Sequence, residues 1–294
     1  MSEPLSQAAA PTAQSPTQAP LAGNLVDPRM RVTVPARRRV RLREVWTSLP
    51  VAWMLGKRDM KAKYKQSALG PLWLVLQPLG MLLAITIAFS KVTSVNTGNV
   101  PYVVFALVGL AVWTYIQMTV SVAPMTLPSN QLVVRRSPCP RLALVTGTLI
   151  AVLPPLAVVL AASVAAAAIS SGLPIQALVM PLMVAWLLLL MWGFTLLVAA
   201  LGGRFRDAVS FTPLIVQAGI FLTPVGYPLD AAGSFAKVLA FNPASGLIEG
   251  WRWSLLGIAP DGFAIGIALA ETVGAVLVGW YVFGRMEPRF ADYV

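Results

Sequence analysis

Eight consecutive residues, Arg58-Asp59-Met60-Lys61-Ala62-Lys63-Tyr64-Lys65, carry five formal charges, four of them positive. Directly behind them starts a stretch that stays almost uncharged well past Gly80. Such a run can attract anions, and anionic lipid headgroups are the plainest example. Residues for other chemistry are scarce. The sequence has no histidine, which removes the commonest general base and metal ligand. Its one cysteine, Cys139, permits neither an internal disulfide nor a thiolate metal cluster. There is no Gly-rich loop ending in Gly-Lys-Ser/Thr to cradle phosphates, so work that needs ATP would need a partner with the ATP site. The 11 acids are scattered, without the close carboxylate pair that glycoside chemistry requires. A membrane-bound glycosyltransferase or lipid-modifying enzyme is therefore a poor fit, and no catalytic residue, metal or resident cofactor is expected.

The element that must hold the basic run is an amphipathic helix over residues 44–68. Pro50 suits its first turn, with Ser48 as cap. At about 100° per residue, Trp46, Leu49, Trp53, Met60 and Tyr64 share one side. Lys57, Arg58, Lys61 and Lys65 share the neighbouring side. Tryptophans beside a basic face predict a helix lying in the membrane interface. Its apolar stretch is too short, and its charges too many, for a span.

The rest of the chain asks for a bilayer. It is 57% hydrophobic and 11% charged over 294 residues, where an average soluble domain is about 25% charged. Its mean hydropathy is +0.74. So few charges cannot cover a soluble protein of this size. A span needs about 20 apolar residues, and six segments qualify: about 70–90, 101–123, 142–170, 174–201, 209–229 and 263–284. Pro213, Pro224 and Pro228 interrupt the fifth. Residues 224–262 are moderately apolar but broken by Pro, Gly and three acids, and are predicted to dip into the outer leaflet as short re-entrant helices. The expected fold class is all-α integral membrane: six spans, an N-terminal interfacial helix and re-entrant helices before the last span.

Charge placement sets the predicted topology. Of the 22 lysines and arginines, 19 fall before the first span, in the loops holding Arg135, Arg136, Arg141, Arg204 and Arg206, or in the tail with Arg285 and Arg289. Only Lys91, Lys237 and Arg252 fall on the other side. Both termini should then face the cytoplasm. A net charge of +11 would suggest nucleic acid in a soluble chain. Here it orients spans and pins the interfacial helix to the inner leaflet, and no nucleic-acid partner is expected. Residues 1–28, rich in Ala, Pro, Gln, Ser and Thr, do not form a secretory signal. With the seven arginines of 29–43 they make a predicted disordered basic tail, 1–43, near anionic headgroups. Residues 286–294 form a second cytoplasmic tail. No internal repeat is evident, so inverted halves are not predicted.

Several local patterns resemble one family. Arg58-Asp59-Met60-Lys61, then Lys63-Tyr64-Lys65, Ser67, Leu69-Gly70-Pro71-Leu72-Trp73 and Gln77-Pro78 resemble the approach to the first span in permease subunits of ABC transporters that export cell-surface polysaccharides. O-antigen, capsule, teichoic acid and wall galactan exporters belong to that group. Arg206-Asp207, Thr223-Pro224-Val225 with Tyr227, and Asn242-Pro243 followed by Glu249 and Arg252 resemble its later motifs. The likeness spans roughly residues 44–285. It implies six transmembrane helices per subunit, a homodimer, and two separate ATP-binding subunits that hold ATP and Mg on the cytoplasmic side. It also implies a pore passing a polyprenyl-diphosphate-linked glycan through the bacterial cytoplasmic membrane. A bias to Ala, Val and Arg over Ile and Lys hints at a GC-rich genome, where wall galactan is one option.

The same resemblance supplies site residues. The interfacial helix is similar to a gate helix, where Arg58, Lys61 and Lys65, with Tyr64 beside them, would meet the diphosphate. Asp59 would pair locally with a Lys or Arg, or with the ATPase. The segment with Pro128, Ser129, Asn130, Arg135, Arg136 and Pro138 is similar to the coupling segment that inserts into the ATPase. Arg206 and Asp207 would join it on the same side.

Aromatic rings can stack on sugar C–H faces. Tyr115, Phe211 and Phe221 are the predicted channel rings, while Trp73 and Tyr102 sit near span ends as anchors. Trp251 and Trp253 read as outer anchors. Glu271, inside the sixth span, must face protein or water, with a bond to another helix favoured over a proton path. A drug or small-lipid exporter of the same ABC type is the alternative reading.

Overall fold

A computed structural model describes residues 42–65, 67–92, 100–136 and 139–290. The predicted basic tail lies outside the described residues except for its last two, which are helical. Among the described residues every regular element is a helix.

The first helix, α1 (Leu42–Lys65), starts two residues before the predicted boundary and carries Pro50 in its interior, not its first turn. Ser48 is accordingly no cap. Its buried hydroxyl donates to the Val45 carbonyl at 2.9 Å, and Thr47 donates to the Arg43 and Glu44 carbonyls at 3.2 Å. Such hydroxyls turn back onto the preceding helical turn. Next come a 3₁₀ turn, Gly70–Leu72, and α2 (Trp73–Val92). Helix α3 (Tyr102–Val122) runs into the 3₁₀ turns Ala123–Met125 and Pro128–Asn130 and the short α4 (Gln131–Arg136).

The predicted third span is two helices, α5 (Arg141–Ala151) and α6 (Leu153–Ser170). Pro154 and Pro155 supply no N–H, so the ladder breaks at Val152 and restarts with the prolines in its first turn. Helices α7 (Met180–Arg204) and α8 (Arg206–Gly219) follow, then α9 (Ala236–Ala240), α10 (Pro243–Leu256) and α11 (Gly262–Met286).

Five helical stretches are long and apolar enough to cross a membrane: Gly70–Phe89, Tyr102–Met125, Arg141–Ser170, Ile175–Arg204 and Gly262–Met286. They match five of the six predicted spans. The sixth differs. Over the predicted 209–229, α8 ends at Gly219, tightens to a 3₁₀ turn at Ile220–Leu222 and gives way to extended backbone at Thr223 (φ −125°, ψ 131°). Pro224 forces this, because its ring excludes the residue before it from the helical region.

Polar ties and close approaches fix the helix directions. Ser163 Oγ donates to Leu107 O at 3.3 Å and Tyr115 Oη to Leu149 O at 3.2 Å, so α3 runs antiparallel to α5 and α6. Helices α7 and α11 run parallel. Trp186 Nε1 donates to Thr272 Oγ1 at 2.8 Å, Trp192 and Trp280 rings sit 5.8 Å apart, and Gly203 faces Phe290. Gly193 lets this pair close, since a Cβ there would lie 2.6 Å from Ala275 C. The segment from α8 to Gly226 climbs antiparallel to α3. It leaves the Ala123–Met125 turn, passes Trp113 at Gly219 and reaches Tyr102 at Gly226. Helix α10 is buried along nearly its whole length among α3, α7 and α11, which suits its apolar sequence.

One apolar cluster joins α3, α6, α7 and α10. A second forms where α1, α5, the ends of α7 and α11, and the segment from Leu127 to Val134 meet. Phe290 is fully buried there, 5.4 Å from the Phe283 ring, and Arg141 donates to the Glu287 carbonyl. Glu287 and Phe290, in the predicted cytoplasmic tail, are thus held against this cluster.

Candidate functional site

Two constellations emerge, at opposite ends of α3. The first lies at the basic end. Helix α1 turns its small residues inward: Ser48, Ala52 and Gly56 are buried, with Leu55 beside them. Gly56 meets Gly147 of α5, where an added Cβ would lie 2.8 Å from the Gly147 carbonyl oxygen. The Ser48, Ala52 and Gly56 spacing of four residues is the small-residue pattern that permits close helix approach. That signal is present in the sequence, and the two-sided reading of the helix overlooks it. The tryptophan side is exposed as expected, with Trp46 75% and Trp53 50% accessible, and Lys57 lies over the Trp53 ring at 5.1 Å. Lys61 and Lys65 are exposed and Tyr64 half-buried.

Arg58 connects two predicted groups. Its Nε and Nη2 both lie 2.8 Å from Asp59 Oδ1, and Nη2 also donates to Asn130 Oδ1 at 2.8 Å. Asn130 is held in turn: its Nδ2 donates to Thr126 O at 2.9 Å and Ser129 Oγ at 3.2 Å. Ser129 Oγ donates to Met125 O at 2.7 Å. Thr126 and Thr148 hydroxyls pair at 3.0 Å, tying this turn to α5. Asp59 therefore pairs with Arg58. Arg135 and Arg136 close α4, with their side chains outside the described residues, as is Pro138. Arg206 and Asp207 open α8, both exposed, with Asp207 where a helix N-terminus favours negative charge.

The predicted channel rings do not behave alike. Phe211 and Phe221 are 61% and 75% accessible along α8 and the turn after it. Tyr115 is fully buried, its hydroxyl held by Leu149 O. Its ring fills the core between α3 and α5 and faces no channel within this subunit. Trp73 is exposed at the start of α2. Tyr102, predicted as an anchor, donates its hydroxyl to Gly226 O at 2.8 Å.

The second constellation is a clasp. Arg252, 1% accessible, donates to Val225 O at 2.8 Å and Tyr227 O at 3.3 Å. It pairs with Glu249 at 3.5 Å, and its guanidinium lies 3.6 Å from the Phe105 ring centroid. Asn242 caps α10 by accepting the Ala244 N–H at 3.0 Å, and donates to Leu222 O at 3.0 Å and Thr223 Oγ1 at 2.8 Å. Motif residues scattered over 223–252 thus form one knot around the Pro224 turn. Arg252 is a buried hub, where the charge tally treats it as a loop cation. Trp251 is fully buried too, against the expectation of an interface anchor, because α10 packs on every side. Phe105 and Gly109, which complete the clasp, carry no sequence signal of their own. Glu271 Oε2 is buried with no hydrogen-bond partner, so the expected interhelical bond is not present at that atom.

The chain matches the model of the ABC-2 type transporter family over residues 51–256. Among similar proteins, the O-antigen export system permease protein RfbA of Klebsiella pneumoniae is 23% identical over 249 residues, covering 81% of this chain and 93% of that one. The protein of the same description from Myxococcus xanthus is 25% identical over 215 residues, covering 72% and 82%. With only helices as regular elements among the described residues and five apolar stretches of spanning length, the chain is thereby a multi-pass membrane transport subunit. It belongs to the ABC-2 type transporter family, whose members work with an ATP-binding partner.

Proposed function

We propose that this chain is the permease subunit of an ABC transporter exporting a cell-surface polysaccharide. The observation that carries the reading is the likeness to O-antigen export permeases over four-fifths of the chain and nearly their whole length. The passenger is a glycan linked to a polyprenyl diphosphate. It crosses the bacterial cytoplasmic membrane through a homodimer, driven by two ATP-binding subunits that hold ATP and Mg.

Six crossings complete the topology. The parallel course of α7 and α11 supports this, since the chain has to return across the bilayer between them. The climb of residues 206–226 along α3 provides the crossing, and α9 and α10 are then re-entrant. The basic end faces the cytoplasm, in accord with its share of the lysines and arginines. There Arg58, Lys61 and Lys65, flanked by Tyr64, receive the diphosphate. Ser129, Asn130, Arg135, Arg136, Arg206 and Asp207 meet the ATPase. Phe211 and Phe221 offer ring faces to sugars.

Depleting the protein in its native cell and extracting polyprenyl-linked lipids tests the function. Long glycan still attached to its lipid should accumulate on the cytoplasmic side. An unchanged glycolipid pool with altered drug tolerance would instead indicate a small-molecule exporter. The site has its own test. Replacing Arg58, Lys61 and Lys65 by Gln should lower export roughly tenfold, as loss of several charge-assisted contacts to a diphosphate would. Assembly with the ATPase should persist. Failure of assembly first would make the cluster structural.

A further inference from the structure

We infer that the Arg58–Asn130 contact is a latch that an incoming diphosphate opens, reporting its presence at α1 to the segment that meets the ATPase. The inference rests on the reading just given. A guanidinium has two forks that offer a pair of parallel N–H groups to a phosphate or carboxylate, and Nη2 contributes a hydrogen to each. Asp59 Oδ1 occupies the fork made by Nε and Nη2, 2.8 Å from both nitrogens. Asn130 Oδ1, 2.8 Å from Nη2, takes the hydrogen that the second fork shares. Neither fork is intact while both partners stay. A bidentate phosphate oxygen pair must displace one of them.

Asn130 is the partner that yields. Its amide oxygen is neutral, whereas Asp59 carries a charge that holds the guanidinium from the far side. A diphosphate using the Nη1–Nη2 fork also approaches away from the Asp59 carboxylate. The groups are accessible to such a ligand, with Arg58 and Asp59 side chains 50% and 40% exposed.

Release of Arg58 frees a short element. Asn130 closes the 3₁₀ turn Pro128–Asn130 directly before α4, and its amide N–H groups hold Thr126 and Ser129. Helix α1 itself stays seated, because Gly56 and Gly147 pack backbone to backbone. The change is thus confined to the turn. Arg58 is a positioning residue for the ATPase contact as well as a ligand for the substrate.

The test uses the full complex with its ATP-binding partner in phosphatidylcholine nanodiscs, with and without an added polyprenyl diphosphate. Spin labels at Ala62 and Gln131, both exposed, in a Cys139→Ser background, read the separation of α1 from the turn. In the otherwise native complex the lipid should lengthen that distance and change ATP turnover about threefold, the scale of an exposed charged contact. Asn130→Ala should adopt the lengthened distance and the altered turnover without lipid and gain nothing from it. Asn130→Asp, which strengthens the contact, should need more lipid for the same response. An Asn130→Ala complex that responds like the native one overturns the latch while leaving the transport reading intact. A native complex that ignores every polyprenyl diphosphate but responds to another amphiphile overturns both.

Discussion

Replacing Arg252 by methionine should destabilise the protein by about 3–5 kcal/mol, as removal of one partner of a buried ion pair does. Methionine fills much of the arginine volume, so the loss is mainly electrostatic. Glu249, 7% accessible, is left with its charge partner gone. The Val225 and Tyr227 carbonyls lose their donor, at about 1–3 kcal/mol for each buried group left unsatisfied. The stack over Phe105 goes as well. Lysine does not rescue, because one ammonium cannot serve two carbonyls, a carboxylate and a ring face in the geometry of a planar fork. The double variant Arg252→Met with Glu249→Leu should recover the ion-pair part and keep the carbonyl part of the loss. Thermal unfolding of the purified protein in detergent measures this, with the single variant lowered by roughly 10 °C. Limited proteolysis should locate new cleavage between residues 223 and 235. A single variant that melts with the native protein would mean that the Pro224 turn holds without the clasp.

Gly202→Val should be nearly as severe, at the other end of α3. A Cβ at this position would lie 2.5 Å from Pro124 Cα, and nearer still to the Pro124 carbonyl oxygen. Both sides of the contact are backbone, so no side chain can swing away. Helix α7 must separate from the Ala123–Met125 turn by about 1 Å, and overpacking of this kind costs about 3 kcal/mol or more. The displaced turn leads directly to Ser129 and Asn130, so export should fall further than stability does. Gly266→Ala is the control. It sits in α11 with nothing within 4 Å, and alanine there should stabilise the helix by about 0.8–1 kcal/mol. Melting temperature and export in complemented cells would separate the two. Equal behaviour of the two variants would contradict the close approach.

Much was legible along the chain because it depends on local composition. Spans announce themselves by length and hydropathy, and five of them fall within a few residues of the predicted limits. The exposed tryptophans and lysines of α1 follow from helical spacing. Pro224 marks where α8 cannot continue. The small-residue face of α1 was legible also, but only to a pattern search at intervals of four. A reading in two faces, apolar and basic, has no place for a third.

What the fold alone decided is which distant residues share a contact. Charge counting treats Arg252 as a loop cation, since nothing in its neighbourhood reveals that α10 is surrounded by three other helices. Burial then reverses its meaning, from a topology signal to a hub that needs every donor satisfied. Trp251 and Tyr115 moved inward for the same reason: an aromatic in an apolar helix fits bilayer or core equally well until its neighbours are known. Arg58 and Asn130 are 72 residues apart, and their bond depends on α1 packing against α5 beside the turn that follows α3. Composition and period set which segments form helices and which enter the membrane. Pairing across the bundle arises from shape, where glycines let backbones touch, and sequence spacing does not encode it.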